Sequence, residues 1–188
     1  MTANALIVIA LADELHGVID EISVPVLECG VGKVNAATEL ARVLSRQSID
    51  LVINYGSAGG VSADAQGLIE IAEVLQRDMN AEPLAPRGRT PFESGTDRLR
   101  SGHTGLVCAT GDNFVTAHDP WLHAQGVHVV DMELFAIAKV CQRFEVPWRG
   151  FKYVSDRADE NAADDWQKNV RDGAQAFVHS LPAIWRSR

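Results

Sequence analysis

The sequence between Val129 and Asp159 constrains the fold more than any other part of the chain. Val129 and Val130 end an apolar run that is typical of a buried strand. Pro147 cannot continue a helix, and the run from Trp148 to Val154 predicts a second buried strand. Between the strands, apolar residues recur every three or four positions, as on one helix face: Met132, Phe135, Ala136, Val140 and Phe144. The stretch is therefore predicted to be a strand–helix–strand unit.

Acidic residues follow both of these strands. Asp131-Met132-Glu133 follows the first strand and is predicted to open the helix, and Asp156 follows the second, with Asp159 just beyond. Ligands bind outside the carboxyl ends of strands in open α/β sheets. We therefore expect Glu133 and Asp156 to face a single pocket.

Bulk composition narrows the class of protein. The 188 residues suit one domain, spanning 1–188, with 46% hydrophobic and 22% charged residues. The formal net charge is -8, so a nucleic-acid backbone or an anionic membrane surface is a poor partner for this chain. A small molecule is the expected ligand.

The N-terminal segment and the cysteines indicate a cytoplasmic protein. The apolar run from Ala5 to Leu11 is too short to cross a membrane and lacks the basic start of a secretory signal. The three cysteines lie far apart in apolar runs, which predicts buried free thiols; they are Cys29, Cys108 and Cys141. Their spacing to the histidines is not that of a metal site, and we expect neither a metal nor an organic cofactor.

Further strands alternate with helices along the chain. The predicted strands are Leu6–Ala10, Val24–Glu28, Ile49–Asn54, Gly67–Leu75 and Thr104–Ala109. Residues 162–186 are predicted to form one long helix whose inner stripe is Trp166, Val170, Ala174, Phe177, Val178, Leu181 and Trp185. This alternation predicts a three-layer α/β/α sandwich with a central mixed, mainly parallel sheet.

Four segments at the predicted strand ends have two interpretations each. Asp13-Glu14 either starts a helix or contributes carboxylates to a site. Gly30-Val31-Gly32-Lys33 is either a phosphate loop or a tight turn, and the missing Ser or Thr after the lysine favours the turn. Tyr55–Gly60 is either a ligand-binding loop or a flexible turn, and we favour the former. Phe114 either stacks on a flat ligand or belongs to the core.

The segment from Arg77 to Arg100 differs from its surroundings because it is rich in proline and arginine. Its composition predicts an exposed loop that acts as a lid, contacts a second subunit, or is disordered.

The residues described so far also indicate a class of reaction. Carboxylates cluster at the predicted strand ends without the spacing of a metal site, so acid/base chemistry is the natural class.

Four motifs together carry a family resemblance: Asn54–Gly60, Gly111-Asp112-Asn113-Phe114, Asp131-Met132-Glu133 and Val154–Asp159. In this order they resemble the purine nucleoside phosphorylase and nucleosidase superfamily. The similarity is greatest to the branch of 5'-methylthioadenosine/S-adenosylhomocysteine nucleosidases and covers almost the whole chain. The resemblance implies hydrolysis of the N-glycosidic bond of a purine nucleoside.

The resemblance also implies roles for individual residues. Asp156 matches the general acid that assists departure of the base, Glu133 the residue that holds the ribose hydroxyls, and Glu14 the acid beside the attacking water. Other residues that would surround the substrate are Ser57, Ala58, Gly59, Phe114, Val115, Met132, Lys152 and Ser155. Lys152 departs from the family, which usually has an arginine there. The resemblance further implies a homodimer in which a neighbour's loop helps to close the pocket, and the segment from Arg77 to Arg100 is the candidate for that loop.

Water and phosphate compete as the acceptor in this superfamily. Phosphorylases commonly carry an arginine just before the Gly-Ser segment, where this chain has Asn54. Asp13 and Glu14 would repel a phosphate dianion, which favours hydrolysis. The alternatives are a phosphorylase that uses Lys152 or the arginines of residues 77–100, and a nucleoside-binding protein without turnover.

Overall fold

The computed structural model of the protein describes residues 4–156 and 172–186. The strands are β1 (Ala5–Ile9), β2 (Val26–Glu28), β3 (Leu51–Gly60), β4 (Leu68–Gln76), β5 (Arg98–Arg100), β6 (Leu106–Thr110), β7 (Val129–Asp131) and β8 (Trp148–Asp156). The α-helices of this part are α1 (Lys33–Leu44), α2 (Pro120–Ala124), α3 (Leu134–Phe144) and α4 (Asp172–Arg186). Short 3-10 helices cover Ala12–Leu15 and Ile19–Glu21. Among these helices there is none of the length and apolarity that a membrane span requires.

One mixed sheet contains all eight of these strands. Parallel ladders join β2 to β1, β1 to β3, β3 to β8, β4 to β6 and β6 to β7. Antiparallel ladders join β8 to β4, β4 to β5 and β7 to β3. Strands β3, β8, β4, β6 and β7 therefore close into a ring, because β7 returns to pair with the end of β3. The predicted mixed, mainly parallel sheet is confirmed.

Helices cover this sheet on two faces. Leu6 and Val8 of β1 pack in one core with residues of α1 and α3. The alternate residues Ile7 and Ile9 pack in a second core, with Phe177 of α4. Successive side chains of a strand point to opposite faces, so this alternation places helices on both sides of the sheet. The predicted three-layer sandwich is confirmed.

Strand β3 is longer than predicted. The sequence indicated a strand ending at Asn54 followed by a ligand-binding loop, whereas β3 continues to Gly60. Gly59 and Gly60 pair with Val130 and Val129 of β7, so hydrogen bonding to β7 keeps the glycine-rich segment extended. The predicted loop is therefore a strand.

Helix α3 differs from its prediction at both ends. Asp131 belongs to β7, and the helix begins at Leu134 instead of within Asp131-Met132-Glu133. It ends at Phe144 because Glu145 adopts a left-handed conformation, with φ 56°, before Pro147 is reached. Phe144 is 40% exposed and does not belong to the buried face. That face consists of Leu134, Phe135, Ala136, Ile137, Ala138 and Cys141.

The segment from Arg77 to Arg100 is more ordered than the sequence suggested. Arg77 is buried, and the segment ends in the short strand β5. Arg87 pairs with Asp119 at 2.6 Å and lies over the Trp121 ring. Further along, Glu93 pairs with Lys139 of α3 at 2.6 Å. These contacts hold the segment against the domain, which argues against the disordered alternative and leaves the lid and the subunit contact open.

Other predictions agree with the structure where it describes them. The strands predicted around β1, β2, β4 and β6 are confirmed with small shifts at their ends. The three cysteines are buried and free. Of the predicted C-terminal helix, α4 is described, and its residues Ala174, Phe177, Val178 and Leu181 are buried. Asp159, Trp166 and Val170 lie outside the described residues.

Candidate active site

A cavity of about 290 Å³ lies where β3, β7 and β8 meet the segment that follows β1. It is lined by Ala10, Leu11, Glu14, Val31, Ser57, Ala58, Gly59, Arg77, Asn113, Phe114, Val115, Val130, Asp131, Met132, Glu133, Ser155 and Asp156. Every predicted site residue except Lys152 is on this wall. The expectation that Glu133 and Asp156 face one pocket is therefore confirmed.

Glu14 is fixed in the 3-10 helix that follows β1. Its Oε2 accepts hydrogen bonds from the backbone N–H groups of Ala10 (2.8 Å) and Leu11 (3.3 Å). Its Oε1 accepts from the N–H (3.0 Å) and the hydroxyl (3.4 Å) of Ser57 on β3. Burial raises the pKa of Glu14, while the Lys152 ammonium opposes that rise. The carboxylate thus links the segment after β1 to strand β3 and keeps a fixed orientation at the cavity wall.

Glu133 lies at the junction of β7 and α3. Its Oε1 accepts a hydrogen bond from the N–H of Gly32 at 2.9 Å. Burial raises the pKa of Glu133 to about 7, and the neighbouring charge of Asp131 adds to the rise. An ionised carboxylate only accepts hydrogen bonds, so above this pH the group suits a ligand that offers hydroxyl donors.

A bulge in β8 brings two adjacent side chains to the cavity. The register with β3 slips between Val154 and Asp156, which leaves Ser155 as the extra residue. Neighbouring residues of a regular strand point to opposite faces, but here Ser155 and Asp156 both line the cavity. The Ser155 hydroxyl donates to Asp156 Oδ2 at 2.9 Å. The bulge therefore aims Asp156 at whatever occupies the cavity.

Lys152 is buried behind the wall instead of lining it. Its ammonium pairs with Asp131 Oδ2 at 2.8 Å, and the two side chains are 1% and 0% exposed. The sequence interpretation placed Lys152 around the substrate and gave Asp131 no role at the site. A lysine in a buried strand requires an opposite charge, so the sequence does indicate that Lys152 has an acidic partner. The sequence did not identify which of several carboxylates is that partner.

Apolar residues and a buried arginine form the remaining wall. Phe114, Val115 and Met132 give the cavity an apolar side, and Phe114 is 49% exposed. Arg77 donates to Asn113 Oδ1 at 2.8 Å and to the Gly111 carbonyl at 3.0 Å, and so holds the loop that carries Phe114. Sequence reasoning missed this role because Arg77 was grouped with the arginine-rich segment.

The Gly30–Lys33 segment is a tight turn before α1. Gly32 has a φ of 92°, which favours glycine. The N–H groups of Gly32 and Lys33 donate to carboxylates, Glu133 and Asp112, at 2.9 and 2.8 Å. The Lys33 ammonium pairs with Asp78 at 2.5 Å. Donors that a phosphate would need are therefore engaged within the protein, which supports the turn interpretation.

Metal binding is the next property to consider. Within residues 4–156 and 172–186, no three His, Cys, Asp or Glu side chains are grouped as ligands of a metal ion.

Comparisons with known proteins show which family the chain resembles. The sequence model of the Phosphorylase superfamily matches residues 15–184. A 5'-methylthioadenosine/S-adenosylhomocysteine nucleosidase of Anoxybacillus flavithermus is 30% identical over 194 residues, covering 89% of this chain and 81% of the relative. A nucleosidase of the same name from Haemophilus ducreyi is 31% identical over 183 residues, covering 85% and 78%.

Solved structures share the fold at lower identity. A 5'-methylthioadenosine/S-adenosylhomocysteine nucleosidase of Helicobacter pylori has a TM-score of 0.89 at 20% identity, covering 100% of this chain and 99% of the other. A futalosine hydrolase of the same organism has a TM-score of 0.90 at 19% identity, with the same coverage. Two hydrolases with different named substrates are therefore almost equally similar in fold, so the fold alone does not select a substrate.

Proposed function

The chain belongs to the phosphorylase superfamily, in the branch of the 5'-methylthioadenosine/S-adenosylhomocysteine nucleosidases, and from this we propose that it hydrolyses the N-glycosidic bond of an adenine-type purine nucleoside. Methylthioadenosine and adenosylhomocysteine are the first candidate substrates. The observation that carries the proposal is that Glu14, Glu133 and Asp156 line one cavity. Those carboxylates can serve the water, the sugar and the leaving base respectively.

Asp156 would act on the leaving base. A purine departs as an anion unless it receives a proton, and a carboxylic acid aimed at N7 can supply it. General acid catalysis of this kind accelerates a reaction roughly 10²–10⁴-fold. The hydrogen bond from Ser155 and the bulge in β8 support this role, because they fix the direction of the carboxyl group.

Glu133 and Glu14 would act on the sugar and the water. Glu133 has the acceptor oxygens that two ribose hydroxyls require. Glu14, with Ser57 beside it, would orient the attacking water. The transition state has oxocarbenium character, so both carboxylates would also stabilise the positive charge that develops on the ribose. Phe114, Val115 and Met132 would pack against the base.

Water is favoured over phosphate as the acceptor because of how the cationic groups are used. Lys33 and Lys152 are each paired with an aspartate, and the amides of Gly32 and Lys33 donate to carboxylates. Arg77, the arginine of the cavity wall, donates to Asn113 and to the Gly111 carbonyl. A phosphate dianion would therefore meet the carboxylates of this wall with most cationic donors already engaged. The argument supports a nucleosidase over a phosphorylase.

We further propose that the enzyme is a single-domain cytoplasmic homodimer. Val31 and Phe114 line the cavity and are 42% and 49% exposed, and Val34 in the adjacent turn of α1 is 74% exposed. Apolar residues grouped at the mouth of a polar site suit burial against a second subunit. The buried free thiols suit a reducing compartment.

The test is release of free base from a panel of nucleosides. Methylthioadenosine, adenosylhomocysteine, adenosine and inosine are incubated with the protein, with and without phosphate. We expect adenine release without phosphate. A strict requirement for phosphate would identify a phosphorylase, and tight binding without release would identify a binding protein.

Asp156→Asn is the matched control for this assay. The change preserves size and keeps one oxygen that can accept from Ser155, but it removes the acid, so we expect turnover to fall at least about a hundredfold with an unchanged circular dichroism spectrum. Turnover close to that of the unmodified protein would remove Asp156 from the role of acid.

A further inference from the structure

We propose that Asp131 and Lys152 are a positioning pair: the Lys152 charge favours the ionised forms of Glu14 and Glu133, and the Asp131 charge opposes ionisation of Glu133. The inference rests on the proposed function, since it concerns residues assigned there to sugar and water. Neither member of the pair needs to touch the substrate for this role.

The pair is buried and tight. Lys152 Nζ lies 2.8 Å from Asp131 Oδ2, and the two side chains are 1% and 0% exposed. Charges in such surroundings are weakly screened by water, so each also acts on other ionisable groups nearby. Removing one charge therefore changes the field at the cavity wall and does more than weaken one contact.

Asp131 is held in place by hydrogen bonds to both of its carboxylate oxygens. Its Oδ1 accepts from the Thr110 hydroxyl. Its Oδ2 accepts from the backbone N–H groups of Leu134 (2.8 Å) and Glu133 (3.3 Å). The negative charge is thus fixed at the end of β7, two positions before Glu133 in the sequence. There it raises the pKa of Glu133, in the same direction as burial.

Lys152 acts on both carboxylates in the opposite sense. A Cβ atom placed on Gly56 would lie 2.8 Å from Glu14 Oε1 and 3.4 Å from Lys152 Nζ, which shows that both groups meet over this glycine. The lysine charge lowers the pKa of Glu14 and of Glu133 against the effect of burial. Without Lys152, both carboxylates would hold protons at a higher pH.

Other titratable groups that face these four are Cys29, Tyr55, Arg77, Cys108 and Asp156. Burial raises the pKa of Cys29 to about 12 and raises those of Tyr55 and Cys108, so these three groups are neutral in the working range. Burial lowers the pKa of Arg77, and the charge of Asp131 opposes that change. Burial opposes ionisation of Asp131, but Lys152, together with hydrogen bonds, more than offsets it and lowers the pKa of this carboxyl. Asp131 and Lys152 act on Glu133 in opposite directions, so substitutions in the pair can shift its ionisation either way.

The test is the pH dependence of kcat/KM for methylthioadenosine in matched variants. We expect Lys152→Met to move the acidic limb to higher pH by about one unit or more, because a positive charge beside two carboxylates is lost. Asp131→Asn should move it to lower pH, because the lysine then acts without opposition. The double variant should lie between the two, and Lys152→Arg, which keeps the charge, should leave the limb in place.

Opposite shifts distinguish this role from simple structural support. Acidic limbs that move in the same direction in the two single variants, or that stay fixed while only kcat falls, would overturn the inference.

If Lys152→Met does not fold, comparison of Asp131→Asn with the double variant carries the same test, because a neutral pair of similar size preserves the packing. If the unmodified protein releases no base, the proposed function fails separately. Carboxyl ¹³C NMR titration of Glu14 and Glu133 in these variants then tests the pair directly.

Discussion

Glu133, which we propose holds the ribose hydroxyls, illustrates how a residue placed for a ligand can oppose folding. Its pKa is raised to about 7, chiefly by burial, so ionisation above that pH puts a charge where water cannot reach it well. The folded chain therefore holds a proton that the unfolded chain has already released. This contribution to stability is present below the unfolded pKa and is lost as pH rises through the folded pKa.

We expect Glu133→Gln to stabilise the protein at pH 8, by on the order of 1–3 kcal/mol, while abolishing most turnover. The gain should shrink towards pH 5, where folded Glu133 is itself protonated. Thermal unfolding at both pH values measures the difference, with exposed Glu28→Gln as the control. A stabilisation that is the same at both pH values would contradict this account.

The position of residues after predicted strands was only partly predictable, because β7 runs antiparallel to β3 and reaches the cavity only by pairing with the end of β3. Glu14, Glu133 and Asp156 follow apolar runs, and the structure places all three at one cavity. Asp131 and Arg77 were missed because their partners, Lys152 and the loop at Gly111, come from other strands. Sequence indicates that a buried charge needs a partner, but only the packing of the strands decides which one it receives.

Among the elements, β3 shows why glycine was misread. A run of glycine and serine predicts a loop because such residues weaken strands. In β3, Gly56 instead leaves room for the Glu14 carboxylate and the Lys152 ammonium. The same absence of a side chain that lowers strand propensity allows charged groups from two other segments to meet over the strand.

Gly56→Ala should therefore disturb the site more than the fold. The new Cβ would lie 2.8 Å from Glu14 Oε1, so the carboxylate must move, and we expect kcat/KM to fall at least about tenfold. Gly150→Ala on the adjacent strand is the matched control, because its Cβ would meet only apolar atoms of Leu134 and Ile71. Both variants should lose about 1–3 kcal/mol of stability. Equal losses of activity in the two would argue against a special role for Gly56.

At the scale of the whole molecule, the exposed apolar residues at the mouth of the cavity are the surface that we propose contacts a second subunit. Val34→Glu places a charge among the exposed apolar residues there, and we expect it to convert a dimer into a monomer with reduced kcat/KM. Sedimentation velocity with parallel activity assays measures both effects. Phe144→Glu, at the opposite end of α3 from the cavity, should leave assembly unchanged. A monomeric unmodified protein would refute the proposed dimer.

The ring formed by β3, β8, β4, β6 and β7 has a consequence for how such a protein can diversify. Main-chain hydrogen bonds, which do not depend on side-chain identity, hold these strands to one another around the cavity. Lining side chains can therefore be exchanged over evolutionary time while the backbone circuit persists. A nucleosidase and a futalosine hydrolase that share this chain's backbone almost equally are what such a frame would produce. For protein engineering, the same ring of strands means that cavity-lining side chains can be substituted while main-chain hydrogen bonds maintain the fold.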